Sequence, residues 1–389
     1  MSTVTLARTP AIDTKLPAVG TTIFTVMSQL AAEKNAVNLG QGFPDFACDP
    51  QLLADVTAAM AAGHNQYPPM PGIPQLREAI SVKITQLYGH SYRAADEITV
   101  TAGATQAIIT AILAVVRPGD EVIVLEPCYD SYVPNIDLAG GTVVRVPLTP
   151  GTFRPDFGKI AAALTPRTRA IVINTPHNPS ATVWTAEEMR KLEELLAPTE
   201  VFVISDEVYE HMVYGAGGHQ SAAAFPGLAA RSFIVSSFGK TYHVTGWKVG
   251  YVAAPAPLTA EFRKVHQFNV FTVNTPMQHA LAAFMADPRP YLELPAFYQR
   301  KRDLFAAGLA KTRLKLLPAE GTYFQCVDIS EVSGLSEADF CLWLTSEIGV
   351  AAIPLSAFYG GGFDQRVVRF CFAKKDETLN TALERLARL

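Results

Sequence analysis

From residue 96 to about residue 255 the sequence repeats one unit. A short apolar run is followed by a turn of small or charged residues and then by a segment with helical periodicity. The runs are Glu97 to Thr101, Glu121 to Leu125, Thr142 to Val146, Ala170 to Ile173, Val201 to Ser205 and Ser232 to Ser236. Near-continuous apolar runs belong to strands buried on both faces. Strand–helix alternation of this kind builds a mainly parallel sheet covered by helices. In such sheets ligands sit in the crevice at the carboxyl ends of the strands. The residues just past each run are therefore the candidates for function.

The flanking segments read differently. Residues 1 to about 22 are polar and proline-spaced, an expected arm, and Ile23 to Ala32 reads as a short helix. Residues 51 to 62 are helical, and the stretch from Asn65 to Pro74 carries four prolines, which excludes a helix interior. Residues 258 to 286 read as helical, and a long helix over about 288 to 311 leads into a compact α+β unit. That unit has strands at 315–317, 322–327 and 367–372 and a helix at 336–348. The expected division is an arm and part of a small domain at 1–45, a large domain at 46–287 and a small domain at 288–389.

Composition narrows the function classes. The 389 residues are 49% hydrophobic, enough for more than one core. The net charge of −4, without a basic stripe, argues against nucleic acid and anionic membrane as partners. The longest apolar stretch, Ala107 to Val116, is too short to span a bilayer, and the N-terminus lacks the apolar core of a signal peptide. The five cysteines form no C-x-x-C pair, which fits a reducing cytoplasm and gives no metal-ligand set.

Each strand end offers a candidate with an ordinary alternative. Lys240 follows the Ser232 to Ser236 run and either forms a Schiff base with a carbonyl cofactor or is a solvated loop lysine. Ala102-Gly103-Ala104-Thr105 precedes a helix from Gln106 to Val116. It is an anion site or a tight connection. Tyr129 could stack on a flat ring. Asn178 is held rigid by Pro176 and Pro179. Asp206 ends an apolar strand, so it needs a cation or donors, or it caps the turn that follows. Gly42 lets a backbone N–H approach a ligand, or serves chain reversal. Tyr67, in the stiff proline loop, meets another subunit or merely connects. Arg369 lies in an apolar strand and either grips a carboxylate or phosphate by two bonds or reaches water from an edge.

Taken together, Asn178, Asp206, Tyr209, Ser237, Lys240 and Lys248 resemble the signature of the class I aminotransferases, the fold type I pyridoxal-phosphate enzymes. So do Leu39 to Phe46, Asn65-Gln66-Tyr67, Asn174 to Ala181, Ser205 to His211 and Ser236 to Tyr251. The likeness spans nearly the whole chain and is strongest to the kynurenine aminotransferase-like group, and within it to the bacterial methionine aminotransferases. It implies a large domain with a mainly parallel seven-stranded sheet and a small α+β domain.

The resemblance also implies roles. Lys240 matches the Schiff-base lysine that later moves the substrate proton, and Asp206 the carboxylate paired with the pyridine nitrogen. Tyr209 and Asn178 match the donors to the cofactor's ring oxygen, and Tyr129 the stacking aromatic. Gly103, Ala104, Thr105, Ser237 and Lys248 match the phosphate ligands. Tyr67 matches a tyrosine that reaches the partner subunit's phosphate, so a homodimer with shared active sites is implied. Arg369 matches the arginine for the substrate α-carboxylate, with Asn178 and the Gly42 backbone beside it. Two positions depart from the wider class. Lys248 stands where many members have arginine, and Ala181 stands where glycine is common. Alanine tolerates positive φ poorly, so the Asn178–Ala181 turn is expected to differ slightly.

The implied reaction moves an amino group from an amino acid to a 2-oxo acid. A β-lyase acting on cysteine conjugates would use the same site, and a non-catalytic regulator would need a DNA-binding module for which the chain offers no room. The segment Val265 to Pro276 contains no Arg or Lys to pair a distal carboxylate, and it offers Phe268 and Phe271. With Ile23 and Phe24 placed over the substrate by the resemblance, an apolar pocket is expected. That pocket favours methionine, then phenylalanine and tyrosine, with histidine or leucine behind, over aspartate.

Overall fold

The computed structural model describes residues 10–389; of the expected N-terminal arm, residues 1–9 lie outside the described residues. The arm is followed by a helix at Ile23–Glu33 and by β1 (Val37–Asn38). The large sheet then comprises β2 (Ile98–Thr101), β3 (Glu121–Glu126), β4 (Thr142–Pro147), β5 (Thr168–Asn174), β6 (Phe202–Asp206), β7 (Ser232–Ser237) and β8 (Gly250–Ala253). Its order is β2-β8-β7-β6-β5-β3-β4, and β8 alone runs antiparallel to its two neighbours. This is the mainly parallel sheet that the apolar runs predict, with the seven strands that the family resemblance implies.

Alternate residues of each strand feed opposite cores. Val122, Val124, Val172, Ile204 and Val235 pack against Ala107, Ile108 and Ala111 of the helix Gly103–Val115 and against Phe262. Ile123, Leu125, Ile171, Ile173 and Val203 join the other core, which holds Met189, Leu192 and Leu196. The functional consequence lies in direction. Strands β2, β3, β5, β6 and β7 end at one edge of the sheet, and β8, being antiparallel, begins there. The register pairs Asn174 with Asp206, Ser237 with Gly250 and Thr101 with Gly250, so these strand ends lie side by side.

Beyond the sheet come β9 (Lys315–Leu316), β10 (Phe324–Asp328), β11 (Val350–Ala351), β12 (Ile353–Pro354) and β13 (Val367–Cys371). A four-stranded sheet runs in the order β12-β13-β10-β9, and β11 pairs with β1, which ties the N-terminal segment to the C-terminal unit. β13 is flanked on both sides, so Arg369 does not reach water from an edge strand.

Three local differences from the sequence reading have physical causes. The helical stretch expected over 258–286 is two helices, Ala256–Asn269 and Thr275–Phe284. Phe271 at φ +70° breaks it, and the Asn274 side chain accepts from Met277 N to start the second helix. The long helix expected at 288–311 is split into Arg289–Leu292 and Leu294–Leu309, with Pro295 in the first turn of the second. The helix Pro74–Tyr88 went unrecognised because it buries Arg77 and Lys83, which breaks the apolar stripe. Lys83 Nζ donates to Glu210 Oε1 at 2.6 Å and to Tyr251 OH at 2.7 Å. Tyr88 OH donates to Glu210 Oε2 at 2.6 Å, and Ser236 Oγ donates to Oε1.

Candidate active site

A cavity of about 180 Å³ opens at the strand-end edge, lined by Gly103, Ala104, Thr105, Ile108, Tyr129, Asn174, Asn178, Asp206, Val208, Tyr209, Ser237, Gly239, Lys240, Thr245 and Lys248. Ten candidates named from the sequence thus converge on one space. Asp206 is the last residue of β6 and is buried. Its Oδ2 accepts from Tyr132 OH at 2.6 Å and its Oδ1 from Val208 N at 3.3 Å. The turn-capping bond is therefore present but long. Burial outweighs these donors and the nearby Lys240, and pushes the carboxyl up to about 6. A carboxylate held this way gains most from a cationic partner in the cavity.

Lys240 follows β7 in the short helix Phe238–Thr241, whose start is capped by Ser237 Oγ accepting from Gly239 N at 3.2 Å. Its Nζ donates to Gly42 O at 3.2 Å and to Tyr323 OH at 3.0 Å, and lies 5.6 Å from the centres of the Tyr209 and Tyr323 rings. Burial, with Arg369 and Lys248 nearby, brings the amine down to about 8. A useful fraction is then neutral and nucleophilic near neutral pH.

The helix after β2 begins at Gly103, not at Gln106. Gly103, Ala104 and Thr105 are thus its first turn, whose N–H groups have no partner within the helix. Gly103 has φ +77°, and a Cβ there would lie 3.3 Å from Lys248 Nζ. Lys248 itself adopts φ +53°. A helix start, a hydroxyl and a lysine so placed suit an anion.

Arg369 sits beyond Asn178. Nη1 donates to Asn178 Oδ1 at 2.6 Å and Nη2 to Gly40 O at 3.2 Å, while Nε has no partner among the described residues. The guanidinium lies 3.9 Å from the Phe324 ring centre, 5.0 Å from Phe358 and 5.5 Å from Phe24. Asn178 N in turn donates to Asn174 Oδ1, whose amide donates to Asp206 O, both at 2.8 Å. The turn at 178–181 keeps the left-handed corner despite alanine: Ala181 has φ +63°. It is held by its N–H to His177 O and by Glu320 N and Gly321 N on its carbonyl, each at 2.9 Å.

Tyr67 and Phe271 do not line this chain's cavity. They pack edge to face, 5.4 Å apart, with 82% and 45% of their surfaces exposed. Sequence reasoning missed Tyr132, Asn174 and Tyr323. Tyr132 and Asn174 lie in the strand-end stretches already singled out. Tyr323 falls in the 322–327 run that reads as plain core strand, and the structure places it in the turn just before β10.

The aminotransferase class I and II family model matches residues 34–386. The methionine aminotransferase of Escherichia coli K12 is 55% identical over 376 residues, covering 96% of this chain and 97% of that protein. Rat kynurenine–oxoglutarate transaminase 3 is 37% identical, covering 93% of this chain and 87% of that protein. The crystal structure of YbdL from Escherichia coli, identified with a methionine aminotransferase function, superposes with a TM-score of 0.96 at 54% identity. It covers 98% of this chain and 100% of that one. These findings favour transamination over β-elimination.

Proposed function

This chain belongs to the aminotransferase class I and II family, and from that premise we propose that it holds pyridoxal phosphate in the strand-end cavity and uses methionine as its leading amino donor. Family members are in general pyridoxal-phosphate dependent and act on amino acids and 2-oxo acids. One observation carries the cofactor reading. A buried carboxyl pushed up to about 6, a buried amine brought down to about 8 and an anion-suited helix start border one cavity. These features fit a cationic ring nitrogen, a carbonyl and a phosphate respectively.

When bound, pyridoxal phosphate would supply a sink for the electron pair left at the substrate Cα and a carbon that takes up and gives back the amino group. The chain's own groups do the rest. Lys240, available in part as a neutral amine, would hold the cofactor's carbonyl carbon and move the proton at the substrate Cα. Asp206 would face the ring nitrogen as a carboxylate, with Tyr132 and Val208 fixing its oxygens. Tyr209 and Asn178 are assigned the ring oxygen and Tyr129 the ring face. Gly103 to Thr105, Ser237 and Lys248 are assigned the phosphate. Arg369, oriented by Asn178 and Gly40, takes the α-carboxylate with the Gly42 segment beside it.

Assembly and substrate choice follow from the same reading. Exposed aromatics at Tyr67, Phe268 and Phe271 support a homodimer in which this surface completes the partner's site. Phe24 beside Arg369, and the lack of Arg or Lys from Val265 to Pro276, support an apolar side-chain pocket. We assign residues 46–287 to the large domain, and 288–389 with part of 1–45 to the small one, consistent with the β1–β11 pairing. Five free cysteines support a reducing cytoplasm. The test is kcat/KM for methionine, phenylalanine, tyrosine, histidine, leucine and aspartate with one 2-oxo acid. Methionine should lead and aspartate trail; aspartate outrunning methionine and phenylalanine would overturn the pocket.

A further inference from the structure

The aromatic cover on Arg369 is tied to the large sheet by one backbone hydrogen bond and one carboxylate. Phe358 closes the short turn Leu355–Phe358, is buried, and sets its ring 5.9 Å from Phe24 and 5.0 Å from the Arg369 guanidinium. The segment around it is pinned from two sides. On its own unit, buried Glu337 accepts from Ser356 N through Oε2, and from Gln365 N at 2.8 Å and Val367 N at 2.9 Å through Oε1. From the large sheet, Cys128 N donates to Phe358 O at 2.9 Å. Glu126, the last residue of β3, accepts from Gly360 N at 2.8 Å. The same Oε1 is 3.0 Å from Arg145 Nε on neighbouring β4. Gly360 lies so close to Arg145 that any Cβ there would overlap the guanidinium.

We propose that Glu126 is a positioning residue for substrate binding: it anchors Gly360 so that Phe358 stays over Arg369 and against Phe24. Glu126 is not among the residues lining the cavity. Its effect runs through the 358–360 backbone to a ring that packs on the guanidinium. A guanidinium held between aromatic faces and aimed by Asn178 loses less side-chain freedom when a carboxylate arrives, so the clamp is pre-organised. Releasing the segment lets Phe358 leave and lets Arg369 sample other rotamers. The cost then falls on binding of any carboxylate-bearing substrate, not on the proton transfer at Lys240. This inference rests on the assignment of Arg369 to the α-carboxylate.

The experiment uses the cofactor-loaded enzyme and two readouts. One is KM and kcat for methionine; the other is the inhibition constant of 3-phenylpropionate, a carboxylate that lacks the amino group and cannot react. Glu126→Ala should raise both KM and the inhibition constant roughly 10-fold, with kcat within about 3-fold. Glu126→Gln, which keeps an acceptor for Gly360 N, should recover most of this. A second, independent pair guards against misfolding. Gly360→Ala should weaken binding in the same way, and adding Arg145→Ala, which removes the overlapping guanidinium, should restore it. Unchanged KM and inhibition constants in Glu126→Ala and Gly360→Ala, or a fall in kcat without a change in binding, overturn the proposal. Arg369→Lys is the reference arm. If it too leaves both binding readouts unchanged, the carboxylate assignment falls. If it moves them while the Glu126 and Gly360 variants do not, the positioning role alone falls.

Discussion

Near neutral pH Asp206 and Lys240 still carry charges that burial disfavours, which links their chemistry to folding. The Asp206 carboxyl has its folded pKa raised to about 6 by burial. Between its unfolded value and about 6 the native protein binds the extra proton, so stability falls as pH rises through that window. Lys240, lowered to about 8, acts in the opposite sense: its penalty is present below about 8 and fades as pH rises toward the unfolded value. Asp206→Asn keeps the acceptor for Tyr132 OH and removes the buried charge. The cofactor-free variant should therefore be more stable than wild type at pH 8, by roughly 1–3 kcal/mol, with the difference vanishing near pH 4. The same change should cut turnover of the loaded enzyme roughly 100-fold or more. Thermal melts across pH and a single-donor rate assay check the two halves. An Asp206→Asn protein that is no more stable at pH 8 would show that Tyr132 and Val208 already satisfy the charge.

At the scale of elements, the strand-end segments were legible because each carries a residue type that an apolar strand does not otherwise tolerate. Asp206 after Val203-Ile204-Ser205 and Lys240 after Ile234-Val235-Ser236 are such breaks in pattern. What stayed hidden was hidden for reasons of contact. Tyr323 reads as one more buried aromatic of an apolar run until Lys240 Nζ is found on its hydroxyl. The helix at Pro74–Tyr88 lost its periodicity because Arg77 turns inward to the Gly72 carbonyl and Lys83 to Glu210, far along the chain. The two-residue strands β1, β11 and β12 are too short to leave a pattern. The helix start at Gly103 gives the element-level prediction. Gly103→Ala must hold alanine at φ +77° and bring a methyl against Lys248. The strain is about 1–2 kcal/mol. Cofactor affinity, measured by titrating the cofactor-free protein, should fall at least about 10-fold while the fold survives. Unaltered affinity would remove the phosphate role from this turn.

Across the whole molecule, the Lys83–Glu210 pair binds the helix Pro74–Tyr88 to the segments carrying Tyr209, Ser237 and Tyr251. Burial opposes ionisation of Glu210, but Lys83, His211 and Ser236 overcome it and hold the carboxyl well below the usual range. Its stabilisation is therefore present above the unfolded carboxylate value and is lost as pH falls below it. Lys83→Met leaves the carboxylate buried and unpaired and should cost about 3–5 kcal/mol. The double variant Lys83→Met, Glu210→Leu should recover most of that and flatten the acid side of the stability profile. Denaturant midpoints from pH 3 to 8 decide it; equal losses in the single and double variants would mean the pair contributes by packing alone.

The sequence order of the site residues has a consequence for synthesis. Every residue lining the cavity falls between Gly103 and Lys248, whereas Arg369 lies on β13, the last strand of the chain. A ribosome therefore releases the cavity wall complete while the arginine is still untranslated. The groups that would hold the cofactor are thus made before the arginine assigned to the substrate carboxylate. A chain truncated after β8 would carry the first set of groups without the clamp that admits an amino acid.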